Sequence, residues 1–268
     1  MSQVFENKID NSSLTLDEYN QEYKKSISDP ETFWSEKANM LDWISSFKKV
    51  VNEDFEDSAK IKWFEKGTLN VSYNCLDRHL KEKGDKVAII WESDDPSISQ
   101  EITYNQLHKK VCKLANGLKK LGIKKGDKVT IYLPMIPEAA ISMLACSRIG
   151  AVHSVVFGGF APESLRNRIE DCESSLVITA NEGIRGNKKI PLLSNVKKAI
   201  SGNTNIKKTV VVKRTESESL FDSKTDIWYH QLTANESEIC EISEQDAEDP
   251  LFILYTSGST GKPKGMVH

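Results

Sequence analysis

Leu251-Phe-Ile-Leu-Tyr-Thr-Ser-Gly-Ser-Thr-Gly-Lys-Pro-Lys-Gly265 decides how this chain is read. The apolar run Leu251–Thr256 predicts a strand, and it passes without a spacer into Gly, Ser and Thr and then Lys-Pro-Lys-Gly. Glycines permit positive φ and let backbone N–H groups come close to an anion. Short hydroxyls and lysines add donors and positive charge, and open α/β sheets hold ligands beyond the carboxyl ends of their strands. A polyphosphate therefore suits Thr256, Ser257, Gly258, Ser259, Thr260, Gly261, Lys262 and Lys264. A plain Gly/Ser turn would not require hydroxyls, glycines and lysines in this alternation. A Walker A loop requires Ser or Thr directly after Gly-Lys. Pro263 follows Gly261-Lys262 here, which removes that hydroxyl and blocks the opening of a helix.

Upstream of this loop, strand and helix signals alternate from about residue 76. Val87–Trp91 is a short β-rich run. Leu107, Val111, Leu114, Leu118 and Leu121 recur at spacings of three and four, predicting an amphipathic helix from Thr103 to Leu121. Thr103 and Gln106 form a capping-box pair at its start, and Gly122 suits its end. Strands are predicted at Val129–Leu133, Val152–Phe157, Leu176–Ala180 and Thr209–Lys213. Helices are predicted from Pro137 to Gly150, from Pro162 through Asp171, and over Pro191–Ser201. Residues 215–249 predict a helix near Trp228 between polar loops. The alternation implies an α/β fold, a mostly parallel sheet of βαβ units with helices on its faces. Residues 1–75 differ: Phe33, Trp34, Trp43 and Trp63 stand among charged, helical-looking segments. They predict a helical N-terminal extension (1–75) docked by its aromatics on the α/β part (76–268). A sheet that stops at its ligand-binding turn is expected to be the first, incomplete part of a larger domain.

With 268 residues, 38% of them hydrophobic, the chain can bury a sizeable core. A net charge of -3 gives no reason to expect nucleic acid or an anionic membrane as partner. Charge is uneven locally: Asn181–Arg214 is basic with Glu182 its one acid, and Thr215–Asp249 is acidic with Lys224 its one base. Two solvated faces explain most of this, but the basic stretch could also hold a phosphorylated ligand. Cysteines 75, 112, 146, 172 and 240 form no CxxC pair and suggest no His at metal-ligand spacing, so reduced, buried thiols in the cytoplasm are expected. The first thirteen residues lack the pattern of a secretory signal. Arg148, His153 and three glycines interrupt the most apolar stretch, Ala139–Ala161, so it reads as a buried helix and strand and not as a membrane span. His153 is expected to be a satisfied core histidine. Arg78 and His79 are expected to cap or pair on a helix surface.

Tyr255–Gly265 resembles the phosphate-loop signature of the adenylate-forming superfamily, which includes acyl-CoA synthetases, luciferase and peptide-synthetase adenylation domains. Further segments are similar to the acetyl-CoA synthetases in particular: Ile61–Asn70 with Asn74–His79, Pro134–Ala140 with Ala145–Phe160, and Ile178–Gly186. The resemblance runs from about Tyr19 to the end. It implies the superfamily's N-terminal domain fold and two half-reactions, with ATP, Mg2+ and coenzyme A as cofactors or substrates and acetate as the acid. The small molecules acetate, ATP and coenzyme A would be the partners, with no nucleic acid and no membrane. The 256–264 loop would hold the β- and γ-phosphates. The coenzyme A segment of the family maps onto Arg185, Gly186, Asn187 and Lys188, and the nearby channel loop onto Phe157, Gly158 and Gly159. Two adjacent glycines after a buried strand would let another molecule approach the backbone. The family carries a second Arg three residues after the first; Lys188 stands there and keeps the charge without the fork. The family's adenine and acyl pockets, Mg2+ contacts and catalytic lysine lie further on, so no catalytic residue is assigned and no ligase activity is expected of these residues alone. A propionyl- or acetoacetyl-CoA synthetase, and a non-catalytic nucleotide-binding chain, remain alternatives.

Overall fold

Seven short β-rich runs pair into one sheet in the computed structural model, which describes residues 14–268 apart from 55, 57–59, 187, 203–204, 218–219 and 257–260. The strands are β1 (Lys128–Tyr132), β2 (Val152–Val155), β3 (Leu176–Ala180), β4 (Lys208–Val212), β5 (Asp226–Trp228), β6 (Phe252–Thr256) and β7 (Lys264–Val267). Their order is β5-β4-β3-β1-β2-β6-β7, parallel throughout except for the antiparallel pair β6/β7. β3 is buried at every position, and β1 and β4 at all but the first, as strands covered on both faces must be.

The helices α1 (Tyr104–Lys120), α2 (Pro137–Ile149), α3 (Pro162–Asp171), α4 (Leu192–Ala199) and α5 (Tyr229–Ala234) join these strands. Local chemistry sets their ends. The Thr103 hydroxyl accepts from Gln106 N–H, and the Gln106 side chain accepts from Thr103 N–H, at 3.3 and 3.0 Å. α2 opens on Pro137 and stops where Gly150 turns left-handed at φ 74°. The chain leaves β1 through α2 for β2 on one side, then returns through α3 to β3 on the other. The carboxyl ends of β1 and β3 thus face the crevice where open α/β sheets bind ligands.

Several elements lie outside the sequence expectation. Val87–Glu92 joins no parallel sheet; it pairs antiparallel with Ser99–Thr103 in a separate ribbon. The extension has helices Leu16–Ser28 and Pro30–Ala38, and also an antiparallel pair of strands, Lys49–Asp54 and Lys60–Glu65. Near Trp228 the chain forms β5 before the short α5. The aromatics pack on one another: Trp43, Phe47 and Phe64 lie 5.2 to 5.5 Å apart, and Trp34 lies edge-on to Trp63 at 5.9 Å. Contact with the sheet layer runs through Asn70, 1% exposed, whose Nδ2 donates to the carbonyls of Ser147, Arg148 and Ser243 at 3.0, 3.2 and 2.8 Å. Arg78 bonds Met40 O and Asn74 Oδ1 on the helix surface. No described helix is long and apolar enough to cross a membrane.

One buried charge organises this junction. Arg148, on the apolar α2, reaches Asp77 with both terminal nitrogens (2.8 and 2.9 Å) and Cys240 O with Nε (2.7 Å). His108 Nε2 meets the same carboxylate at 3.1 Å, and Cys112 Sγ lies 3.6 Å from that ring nitrogen. His108 and Cys112 meet because they stand four apart on α1, a pairing the cysteine spacings had not suggested. All five cysteines are free, and four of them are buried.

Burial pushes the Asp77 carboxyl up, but hydrogen bonds from His108 and Arg148 outweigh it and hold it at about 2. The hydrogen bond to Asp77, helped by Cys112, raises His108 to about 9. A raised histidine contributes stability fully present below its ordinary pKa of 6.5 and lost as the pH rises through about 9. The contribution of Asp77 is lost only as the pH falls through about 2. Asp77→Ala leaves Arg148 buried and unpaired and is expected to cost about 3 kcal/mol. Urea unfolding between about pH 6 and pH 10 should show a downward slope in the parent that flattens in Asp77→Ala.

Candidate functional site

The site is assembled from strand exits. β1 is followed by Leu133-Pro134-Met135-Ile136, β2 leads into Phe157-Gly158-Gly159, and Arg214 lies just past β4. After β3 come Asn181, Glu182 and a small antiparallel hairpin, Gly183–Arg185 with Lys188–Ile190. These segments enclose a cavity of about 350 Å³ whose remaining wall is Trp91–Asp94 from the separate ribbon. Phe157, Gly158, Gly159 and Arg185, singled out from two distant stretches of sequence, therefore line one space at the β1/β3 crevice. Asn187 lies outside the described residues.

Gly186 turns the hairpin at φ 57°, and its N–H donates to Asp94 Oδ2. Arg185 and Lys188 are direct partners in the hairpin register, both exposed. Like charges directly opposite on two strands repel, and no described carboxylate forms an ion pair with either. Lys188 itself does not line the cavity.

The paired glycines act differently from expectation. A Cβ on Gly158 would stand 2.9 Å from Leu133 O, and one on Gly159 would stand 2.5 Å from the Phe157 ring. The close backbone approach that Gly158 permits is thus to the chain's own β1 exit. The loop is further held by Tyr132 Oη, which donates to Phe160 O at 2.7 Å and accepts from Asn195 Nδ2 at 3.1 Å.

The second candidate region is the β6–β7 connection. Thr256 and Lys264 are partners where the two strands diverge. Ser257, Gly258, Ser259 and Thr260 lie outside the described residues. Gly261, Lys262 and Lys264 are exposed, and neither lysine has a described carboxylate partner. The chain returns as a strand and opens no helix, in keeping with the exclusion of a Walker A loop. At the base of this connection, Arg168, Asp171, Tyr255 and Lys262 help to line a cavity of about 360 Å³. Arg168, 8% exposed, lies between two rings, 4.8 Å from the centroid of Phe160 and 5.3 Å from that of Tyr255. Burial lowers its pKa. Tyr255 Oη donates to Asp171 Oδ2 at 2.7 Å. The described residues of the two candidate regions line separate cavities, with this stack between them.

His153 is buried but not satisfied: its Nδ1 has no hydrogen-bond partner among the described residues. Burial pushes it down to about 4, and its ring lies against Phe252 at 5.6 Å. No three described His, Cys, Asp or Glu residues converge into a group that could hold a metal. Trp91, Asp94 and Arg214 line the first cavity without having been expected there. Arg214 closes the basic stretch that Arg185 opens, and its place after a predicted strand was the one available signal.

Residues 76–268 match the family described as AMP-binding enzyme, and residues 19–75 match acetyl-coenzyme A synthetase N-terminus. An acetyl-coenzyme A synthetase of Brucella anthropi is 57% identical over 250 residues, covering 92% of this chain and 38% of that protein. One of Serratia proteamaculans is 53% identical over 276 residues, covering 100% of this chain and 42% of that protein. The chain thus spans 38% and 42% of the lengths of these two relatives. Acetoacetyl-CoA synthetase from Streptomyces lividans superposes with a TM-score of 0.81 at 24% identity, over 91% of this chain and 37% of that one, and shares the fold.

The glycine contacts give a paired expectation. Gly158→Ala forces a Cβ onto the Leu133 backbone and is expected to cost about 1–3 kcal/mol. Gly186→Ala meets open space and should cost about 1 kcal/mol through its positive φ. Thermal unfolding of the two variants measures this; a Gly158 variant no worse than the Gly186 one would contradict the close approach.

Proposed function

The chain belongs to the AMP-binding enzyme family, and on that footing we propose that it carries the phosphate loop and the coenzyme A cavity of an acetate–CoA ligase. In the proposed reaction a carboxylate oxygen of acetate attacks the α-phosphorus of ATP and pyrophosphate departs, leaving acetyl-adenylate. The sulfur of coenzyme A then attacks the acyl carbon, and AMP leaves with the electron pair of the broken C–O bond. The first step needs little covalent help; positioning and charge neutralisation dominate. In this reading Thr256, Ser257, Gly258, Ser259, Thr260, Gly261, Lys262 and Lys264 neutralise the β- and γ-phosphates and the departing pyrophosphate.

Arg185, Gly186, Asn187 and Lys188, with Phe157, Gly158 and Gly159, seat coenzyme A for the second step. The observation that carries this assignment is the opposed pair Arg185/Lys188, of which Arg185 lines the crevice cavity. Two unpaired like charges held opposite each other favour an anion between or beside them, and an Arg can grip a phosphate with two parallel bonds. Mg2+ would arrive on the phosphates of ATP; no described residues make a site for it, and no step is assigned to it. No catalytic residue is assigned within the chain. Residues 1–75 are read as an extension of the kind found in acetyl-CoA synthetases, and 76–268 as the first part of the adenylating domain. The partners are the small molecules acetate, ATP and coenzyme A, and the setting is the cytoplasm. Acetate as the acid rests on the 53–57% identity to acetyl-CoA synthetases.

Exchange of labelled pyrophosphate into ATP by the protein that carries this chain tests the first half-reaction. Acetate should support exchange faster than propionate. A preference for propionate would transfer the reading to a propionyl-CoA synthetase, and no exchange with any short acid would remove the ligase reading. Arg185→Gln is expected to raise the KM for coenzyme A by about tenfold or more, the worth of a charge-assisted bond. The same variant should leave pyrophosphate exchange unchanged.

A further inference from the structure

The crevice cavity contains a cation outside the motifs that point to it. Arg214 lies just past β4, and its N–H donates to Asn181 Oδ1 at 2.8 Å. Asn181 is 4% exposed and uses both ends of its amide. Its Oδ1 also accepts from Glu182 N–H at 2.9 Å, and its Nδ2 donates to Thr215 O and Ser217 O at 2.9 and 2.6 Å. One buried amide thus locks the segment after β4 to the root of the hairpin that bears Arg185.

The Arg214 guanidinium lies over the ring of Trp91, 5.0 Å from its centroid. Trp91 is fixed in turn, since its Nε1 donates to Met135 O at 2.7 Å. Two acids, Glu92 and Asp94, line the same cavity, and Glu182 stands at the root of the hairpin. Glu182 accepts from Thr215 Oγ1 at 2.6 Å and pairs with Lys189 at 3.6 Å, and Asp94 takes the Gly186 N–H. Among the described residues no carboxylate forms an ion pair with Arg214. An Arg stacked on an aromatic face keeps its in-plane N–H groups available, and stacking reduces the rotamer freedom lost on binding.

We propose that Arg214, placed over the ring of Trp91, is a phosphate-binding residue of this cavity, acting with Arg185 on the phosphorylated nucleotide end of coenzyme A. The proposal rests on the reading of the cavity as the coenzyme A site. Arg185 and Arg214 enter the same space from loops after adjacent strands, while Trp91, Leu133, Ile136 and Phe157 supply apolar wall. Two arginines in the wall of a partly apolar, aromatic-edged space suit a planar base joined to phosphates. Lys188 carries charge without a fork, and Arg214 provides the second bidentate donor from the other loop.

Coenzyme A titrated by calorimetry into the parent protein, Arg214→Gln, Arg214→Lys and Arg185→Gln, at low and high salt and with melting curves alongside, tests this. Arg214→Gln should bind coenzyme A about ten- to hundredfold more weakly, as loss of charge-assisted bonds predicts. The deficit should shrink at high salt, Arg214→Lys should recover part of the affinity, and the melting temperatures should match. Unchanged affinity in Arg214→Gln beside a loss in Arg185→Gln would overturn the role of Arg214 and leave the cavity assignment standing. A deficit insensitive to salt, or accompanied by a lowered melting temperature, would show that Arg214 only supports the loop. No binding to the parent, or full binding to Arg185→Gln, would remove the cavity assignment and this proposal with it.

Discussion

Parallel pairing delivers the carboxyl ends of β1 to β6 to one edge of the sheet, and the candidate ligand contacts hang from that edge. Parallel strands cannot be joined by tight turns, so each must be followed by a crossover. Here α2 carries the chain from β1 to one side and α3 carries it back to the other. The exits of β1 and β3 part company, and the space between them is what the glycine loop, the arginine hairpin and Arg214 surround. The site is in this sense a consequence of strand order, and the side chains decide only what the space can hold.

Arg148 and the cations around the crevice differ in their partners. Arg148 is buried, and its guanidinium is committed to Asp77 and Cys240 O. A charge in that position must be compensated or it would destabilise the fold. Arg185, Lys188 and Arg214 sit at strand exits with no ion pair among the described residues, and two of them directly oppose each other. Burying an uncompensated repulsive pair would be costly, but at an open rim the cost is small and a bound anion can reverse it. Arg148 is thus compensated within the fold, whereas Arg185 and Arg214 line the crevice cavity with no ion pair among the described residues.

The legible parts of the sequence were the local ones. Thr103 with Gln106, Pro137 with Gly150, and the Leu176–Ala180 run each act within a few residues, so helix limits and core strands could be read directly. The Gly/Ser/Thr/Lys composition of 256–264 suggests a phosphate loop, but Ser257–Thr260 fall outside the described residues. What escaped were pairings between distant segments. The Ser99–Thr103 partner of Val87–Glu92 gives no strong periodic signal, and Asp94 meets Gly186 across 92 positions of sequence. Trp91 reads as a strand residue until Arg214 is brought onto its face. The two glycines suggest space for another molecule, but Gly158 stands against the Leu133 backbone and Gly159 against the Phe157 ring. His153 lies in the core as its apolar flanks suggest, yet its Nδ1 has no partner among the described residues.

The described residues of the two candidate regions line different cavities, and Arg168 lies between them. Its guanidinium lies between Phe160, at the end of the glycine loop, and Tyr255, one residue before the phosphate loop begins. Its Nη1 donates to Ser164 O at 2.7 Å, and Asp171 takes the Tyr255 hydroxyl. A buried cation without a described carboxylate is stabilised here by two π faces and a carbonyl, an arrangement that weakens if either ring moves away. Moving the root of the phosphate loop would therefore expose or strand that charge, and so would moving the glycine loop. The stack ties Phe160, at the end of the glycine loop, to Tyr255 near the end of β6, so a shift of either ring is felt at the other.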